Sequence, residues 1–145
     1  MKVDHLILAK GSSVDRDTHS MSVFEMIEQM QIQAPKFPVN VPVHAVIVYR
    51  RDKGETGVLI EPWRLNVFDP QEKVLLSQNL EVKMEAEHSR QRVRINFPIQ
   101  IQIDGEYKIR VSNVNDATQA REIEIDVKAI TDISRPGGSQ GGFSN

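Results

Sequence analysis

The sequence predicts an all-β protein, built as an antiparallel two-sheet sandwich of about eight strands. The first observation is the alternation of apolar and polar residues through most of the chain, as in RVRINF and REIEIDV. The second is the spacing of turn segments such as RDKGETG and DPQEK, which separate apolar runs at intervals of about 8–15 residues. The third is that no segment has an unambiguous helical period.

The N-terminal quarter contains one clear strand and one ambiguous segment. A strand is expected at VDHLILA, followed by a turn rich in Gly, Ser and Asp. Within residues 21–32, Val23, Met26 and Met30 would share one face of a helix, whereas Met30 and Ile32 also fit strand alternation. We favour a strand with a bulge because the surrounding segments are β-like, and a helix is the alternative.

A proline-rich segment follows, with Pro35, Pro38 and Pro42 within APKFPVNVP. Proline cannot donate to a strand ladder, and it pushes the preceding residue towards extended geometry. The sequence therefore predicts a stiff, extended and unpaired connector over residues 34–42 that crosses between the two sheets. We expect Phe37 to close one end of the core, and an exposed contact with a partner is the alternative.

The remaining strands follow at regular spacing. VPVHAVIVYR is apolar on both faces near its centre, which is typical of a buried central strand. Further strands are expected in VLIEPWRLNVF, VLLSQNLEVKM, QRVRINF with IQIQI, YKIRV and REIEIDV.

Length and composition indicate one globular domain. The 145 residues, 39% of them hydrophobic and 26% charged, suit a single core. We place the sandwich domain at residues 1–130 and a flexible Gly/Ser-rich tail at residues 131–145. The net charge of −2 provides no overall basic field for nucleic acid.

The expected compartment is the cytoplasm. The chain has no cysteine, which excludes a disulfide framework, a thiolate metal site and a cysteine nucleophile, and which fits a reducing compartment. The N-terminal apolar run LILA is shorter than a signal peptide requires. No stretch approaches the roughly 18 apolar residues that cross a bilayer, so we expect no membrane contact.

Four segments together resemble a known family. APKFPVNVPVHAVIVYRR, GETG, LNVFDPQEKVL and FPIQIQIDGEYKIRV are similar to segments of small bacterial single-domain proteins of unknown function with an immunoglobulin-like β-sandwich. The resemblance covers most of residues 1–128, implies that fold and favours a strand at residues 21–32. It implies no functional residue. Where the family has Pro-Gly before a tyrosine, this chain has Asp104 and Gly105.

Tyr107 follows this turn at the start of a strand. In immunoglobulin-like sandwiches, a tyrosine at such a corner sends its hydroxyl to a nearby backbone group. We therefore expect a structural role for Tyr107 and not a catalytic one.

The motifs of catalysis and cofactor binding are missing. The histidines share no metal-ligand spacing, so a zinc site would have to combine His5 and His19 with Asp4, Asp15 or Asp17. The chain has neither a G-x-S-x-G motif nor a phosphate-binding glycine loop. We expect no catalytic residue, no metal and no cofactor.

Two segments carry basic residues at a spacing of two. SRQRVRI places Arg90, Arg92 and Arg94 on one face of a strand, and YKIRV does the same with Lys108 and Arg110. If these strands pair, the five side chains form a cationic patch that could hold phosphates or an acidic peptide.

An acidic strand provides the alternative for this patch. Glu122, Glu124 and Asp126 share one face of the next strand. Antiparallel to Lys108 and Arg110, they would form a cross-strand charge ladder that cancels the positive field. We favour the ladder. Because no aromatic residue alternates with the arginines, single-stranded nucleic acid is disfavoured as a ligand.

The sequence therefore favours a non-enzymatic protein-interaction or structural module. It would act through an edge strand, loops or a sheet face, which includes self-association through an edge. One alternative is a protein that binds nucleic acid or another polyanion through the basic face. The other is a metal-dependent enzyme that uses His5 and His19.

Overall fold

The computed structural model describes residues 1–131, which form nine strands and no helix. The all-β prediction with two sheets is confirmed, but there are nine strands instead of about eight. The predicted tail lies outside the described residues, apart from Thr131. The strands are β1 (Lys2–Val14), β2 (Met21–Met26), β3 (Gln29–Ala34), β4 (Val39–Arg50), β5 (Leu59–Phe68), β6 (Val74–Met84), β7 (Arg90–Ile101), β8 (Gly105–Asn113) and β9 (Ala120–Thr131).

The strands form two sheets with a common core. The four-stranded sheet has the order β2-β1-β4-β7, and the five-stranded sheet has the order β3-β9-β8-β5-β6. Neighbouring strands are antiparallel except for β3 and β9, which are parallel. The prediction of a purely antiparallel fold is wrong at this pair. Parallel pairing needs a long connection between the two strands, and β4 to β8 supply it.

Residue alternation explains how the sheets pack. In β4, Val43, Ala45 and Ile47 face the core, and Val46 on the opposite face is fully buried as well. Because β4 lies between β1 and β7, its prediction as a buried central strand is confirmed. The facing sheet contributes to the same core Trp63, Leu65 and Val67 of β5 and Tyr107, Ile109 and Val111 of β8.

The ambiguous segment forms two strands that belong to different sheets. β2 pairs with β1, and β3 pairs with β9. Glu25, inside β2, has a left-handed φ of 53°, and the chain crosses between the sheets at Ile27 and Glu28. The amide of Ile27 donates to the Leu8 carbonyl at 2.8 Å. The prediction of a strand instead of a helix at residues 21–32 is therefore confirmed. Because the chain changes sheet within this segment, it forms two strands, which gives nine strands in place of about eight.

Only part of the proline segment is an unpaired connector. Pro35 and Pro38 lie between β3 and β4, where the chain passes from one sheet to the other. Pro42 lies inside β4, directly opposite Pro98 of β7, so its prediction as an unpaired residue is wrong. Two prolines can face each other because one class of antiparallel pair exchanges no hydrogen bonds. Phe37 is half-buried and packs against the core.

Candidate functional site

The two basic segments lie in different sheets. Arg90, Arg92 and Arg94 are on β7 of the four-stranded sheet, whereas Lys108 and Arg110 are on β8 of the five-stranded sheet. The five residues therefore do not form one patch, and that expectation is wrong. The sequence could not show this because the two strands have similar patterns and follow each other in the chain.

The basic residues of β8 belong to a charge ladder. Lys108 lies opposite Glu124 and Arg110 lies opposite Glu122 in the β8–β9 register. Arg110 Nε is 4.0 Å from Glu122 Oε1. The predicted ladder is thus present in register for Glu122 and Glu124, whose carboxylates compensate the positive charge of this strand. The third predicted member, Asp126, lies opposite Glu106 instead of a basic residue.

At one end of β7, Arg90 shares a carboxylate with a neighbouring arginine. Arg90 lies directly opposite Arg50 of β4, a like-charge pair that is unfavourable by itself. Asp4 pairs with both: Arg90 donates to its Oδ2, and Arg50 Nε is 3.7 Å from its Oδ1. Desolvation raises the pKa of Asp4, but the arginines outweigh it and hold the pKa below its usual value.

Arg92 and Arg94 contact backbone oxygens of a segment that we call the arm, which comprises residues 11–22. Arg92 Nη2 donates to the His19 carbonyl at 2.6 Å, and Arg94 Nη1 is 3.5 Å from the Ser12 carbonyl. Among residues 1–131, neither arginine has a carboxylate within 4.0 Å. Beside them is a cleft of about 480 Å³, the basic cleft, lined by Val14, His19, His88, Arg90, Gln91, Arg92 and Arg94.

The arm is pinned to the sheet by a buried histidine. His44 Nδ1 donates to the Asn96 side-chain oxygen at 2.8 Å, which leaves Nε2 to accept the Ser12 hydroxyl at 2.6 Å. Hydrolytic triads use the same order of groups. His44, however, is only 8% exposed, which leaves little room for a substrate, so we assign the network a structural role. Sequence reasoning missed it because the three residues are distant in the chain: His44 and Asn96 meet through strand pairing, and Ser12 joins them from the arm.

A second cleft, the edge cleft, opens between β3 and the first half of β4. It has a volume of about 640 Å³. Of the described residues that line it, only Lys10 is charged, and Gln29, Gln31 and Asn96 are polar. The apolar lining residues are Ile27, Met30, Ile32, Val41, Pro42 and Val43.

One side of the edge cleft is an unpaired edge of β4. Pro42 and Pro98 cannot donate, so their pair exchanges no hydrogen bonds and the Pro42 nitrogen points away from β7. By alternation, the amide and carbonyl of Asn40 also point away from β7. β1 pairs with β4 only from His44 onwards, so these groups have no neighbouring strand among the described residues.

The other side of the edge cleft is the outer edge of β3. β3 is the terminal strand of its sheet. The carbonyl of Glu28 accepts the amide of Asp126 at 3.3 Å, which fixes the direction of the backbone groups that follow. The even-numbered residues of β3 therefore bond to β9, and the backbone groups of Gln29, Gln31 and Gln33 point away from it.

The α-amino group of Met1 is enclosed by three carboxylates. It lies 2.9 Å from Asp52 Oδ2, 2.6 Å from Glu55 Oε1 and 3.6 Å from Glu61 Oε2. Burial disfavours the charged ammonium, but the hydrogen bonds that it donates to Glu55 and Asp52, together with the nearby Glu61, raise its pKa above the usual value. This group ties the first residue to the segment between β4 and β5.

Tyr107 makes the corner hydrogen bonds that are expected of such a tyrosine. Its hydroxyl donates to the Ile103 carbonyl at 2.8 Å and accepts the amides of Gln102 and Ile103 at 3.2 and 3.3 Å. Gly105 before it has a φ of 135°, and a Cβ at this position would lie 2.7 Å from Pro70 Cβ. The turn therefore requires glycine.

The described residues bring together no group of three or more His, Asp or Glu side chains that could hold a metal ion. His5 lies on β1, with Nε2 3.7 Å from Asp4 Oδ2, and His19 lies in the arm. The described part of the chain also has no helix long and apolar enough to cross a membrane.

Comparison with known proteins assigns the chain to no family. No family model matches the chain, and no curated protein is significantly similar to it.

Proposed function

We propose that the protein is a non-enzymatic interaction module that binds an extended segment of a partner protein in the edge cleft. The observation that carries this proposal is that an apolar cleft lies between two unpaired strand edges. Backbone groups on both sides can pair with an added strand, and the side chains between them can hold apolar residues of that strand.

The binding mode would be strand addition. In this mode, main-chain hydrogen bonds provide affinity and side-chain pockets provide specificity. The backbone donors would be the amides of Gln29, Gln31 and Gln33, with Asn40 on the facing edge. The cleft volume of about 640 Å³ lies within the roughly 300–1,000 Å³ that is typical of ligand pockets.

The partner segment would alternate apolar and polar residues. A strand presents successive side chains to opposite faces, so every second residue of the partner would contact Ile32, Val41 and their neighbours. Pro42 removes one donor from the β4 edge, a common protection against unspecific edge pairing. This favours a specific partner over self-association through β4.

In this proposal, the two sheets that carry the edge cleft form an immunoglobulin-like sandwich. Two of its hallmarks are a buried tryptophan on strand C and a corner tyrosine near the start of strand F. Trp63 on β5 and Tyr107 on β8 would hold these positions, since both are fully buried and lie on neighbouring strands. The family resemblance of the sequence supports the same fold.

Selection of peptides from a random display library against the immobilised protein tests the proposed function. We expect selected peptides to alternate apolar and polar residues. Their affinity should fall about three- to tenfold in Gln31→Pro, because this variant lacks one amide that faces the cleft.

Gln100→Pro is the matched control. Gln100 lies on β7 beyond Pro98, and its backbone amide points away from β4 on the far side of the sheet. Unchanged affinity in this control, with weaker binding to Gln31→Pro, would support the edge cleft. Equal binding to both variants, or the failure to select any peptide, would refute it.

A further inference from the structure

We propose that the basic cleft is a binding site for a small compound that carries several phosphate groups. The cleft shares no lining residue with the edge cleft, so this inference does not depend on the proposed function. It concerns the side chains of one strand, Arg90, Arg92 and Arg94, together with His19 and His88.

The charge in the basic cleft is only partly compensated. Asp4 is shared between Arg90 and Arg50 at one end of the strand. Arg92 and Arg94 contact neutral carbonyl groups, and none of the described residues that line the cleft is a carboxylate. A guanidinium group has five N–H donors, so each of these two arginines keeps donors for an anion.

The arm contacts two of these arginines and orients Arg92 through a hydrogen bond. Arg92 is fixed by the His19 carbonyl, and the segment that carries this carbonyl is joined through Ser12 to the buried His44. A ligand would therefore meet an Arg92 guanidinium group that is already oriented, which lowers the entropy lost on binding. Same-face residues on a strand are about 6.7 Å apart, so an anion with more than one charged group can contact neighbouring arginines.

The surroundings favour phosphate over a nucleic-acid strand. Arginine binds phosphate through paired N–H donors. Binding of single-stranded nucleic acid also uses aromatic side chains as stacking surfaces, and none of the described residues that line this cleft is aromatic. The cleft volume of about 480 Å³ suits a compact ligand better than a long polymer.

Isothermal titration calorimetry of the protein with tripolyphosphate tests the inference. We expect saturable binding that weakens at least about tenfold in Arg92→Gln/Arg94→Gln. The control Lys108→Gln/Arg110→Gln changes the net charge by the same amount, but it removes the basic residues of the β8–β9 ladder. The affinity of this control for tripolyphosphate should equal that of the unchanged protein.

The remaining outcomes overturn the inference. No saturable binding to the unchanged protein excludes the site, whether or not the double variants fold. Equal loss in both double variants indicates unspecific attraction by net charge. Binding of citrate as tight as that of tripolyphosphate shows that phosphate is not the preferred chemistry, and tighter binding of a short thymidine oligonucleotide assigns the cleft to nucleic acid.

Discussion

Two buried tyrosines differ in what their hydroxyl groups contact. The Tyr107 hydroxyl makes three hydrogen bonds to the backbone, whereas that of Tyr49 has no partner among the described residues. Burial raises the pKa of Tyr49, with a smaller contribution from Glu61. Removing a hydroxyl group that is hydrogen-bonded leaves its partners unsatisfied, which lowers stability. Removing a buried hydroxyl group that has no partner removes the cost of its desolvation.

The substitution to phenylalanine should therefore lower stability at position 107 but not at position 49. We expect Tyr107→Phe to lower the free energy of unfolding by about 1–2 kcal/mol. Tyr49→Phe should leave it unchanged or raise it slightly. Urea denaturation of both variants measures this, and an equal loss of stability in the two would contradict the assigned hydrogen bonds.

The ammonium group of Met1 predicts a pH dependence of stability. Its pKa is raised in the folded protein above the usual value of about 8. A raised pKa means that the charged form stabilises the folded state, fully below about pH 8, and that this contribution is lost as the pH rises through the folded-state pKa. We expect the urea midpoint to fall from about pH 8 upwards.

Glu55→Gln provides the control for this effect. Glu55 makes the shortest contacts with the ammonium group, at 2.6 and 2.7 Å. Without its charge, the decline of the midpoint above about pH 8 should be shallower. Parallel pH profiles in the two proteins would mean that other groups cause the decline.

At the scale of single elements, the free edge of β3 can be tested by proline substitution. The amide of Gln31 points away from β9, whereas that of Ile32 points towards it. Gln31→Pro should change the free energy of unfolding by less than about 1 kcal/mol, because proline is tolerated on an edge. Ile32→Pro should lose at least about 1 kcal/mol more than Ile32→Ala, which removes packing alone. Equal losses at positions 31 and 32 would show that the edge is assigned incorrectly.

Elements could be predicted from the sequence where alternation is strong. Val43, Ala45 and Ile47 identify β4 as a buried central strand, and the expected opposition of Arg110 and Glu122 follows from consecutive strands. The split of residues 21–34 into β2 and β3 could not be predicted. Its cause is the change of sheet at Ile27 and Glu28, which does not alter the local apolar pattern.

At the scale of the whole molecule, the candidate sites depend on pairings that sequence alone does not provide. The edge cleft exists because β1 does not pair with the part of β4 before His44 and because β3 joins the other sheet. The basic cleft exists because the arm folds over β7, where Ser12 and Arg94 meet. Both arrangements join residues that are distant in the chain, so the composition of each strand could indicate its charge but not its neighbours.

The measurement that tests the central claim most directly is amide hydrogen exchange with and without a peptide selected by display. If the peptide adds a strand in the edge cleft, the amides of Gln29, Gln31, Gln33 and Asn40 should exchange more slowly in the complex. The amide of Gln100, on the far edge of β7, should be unchanged. Slower exchange at Gln100 or along the edge strands β2 and β6, with no change at β3, would contradict the account.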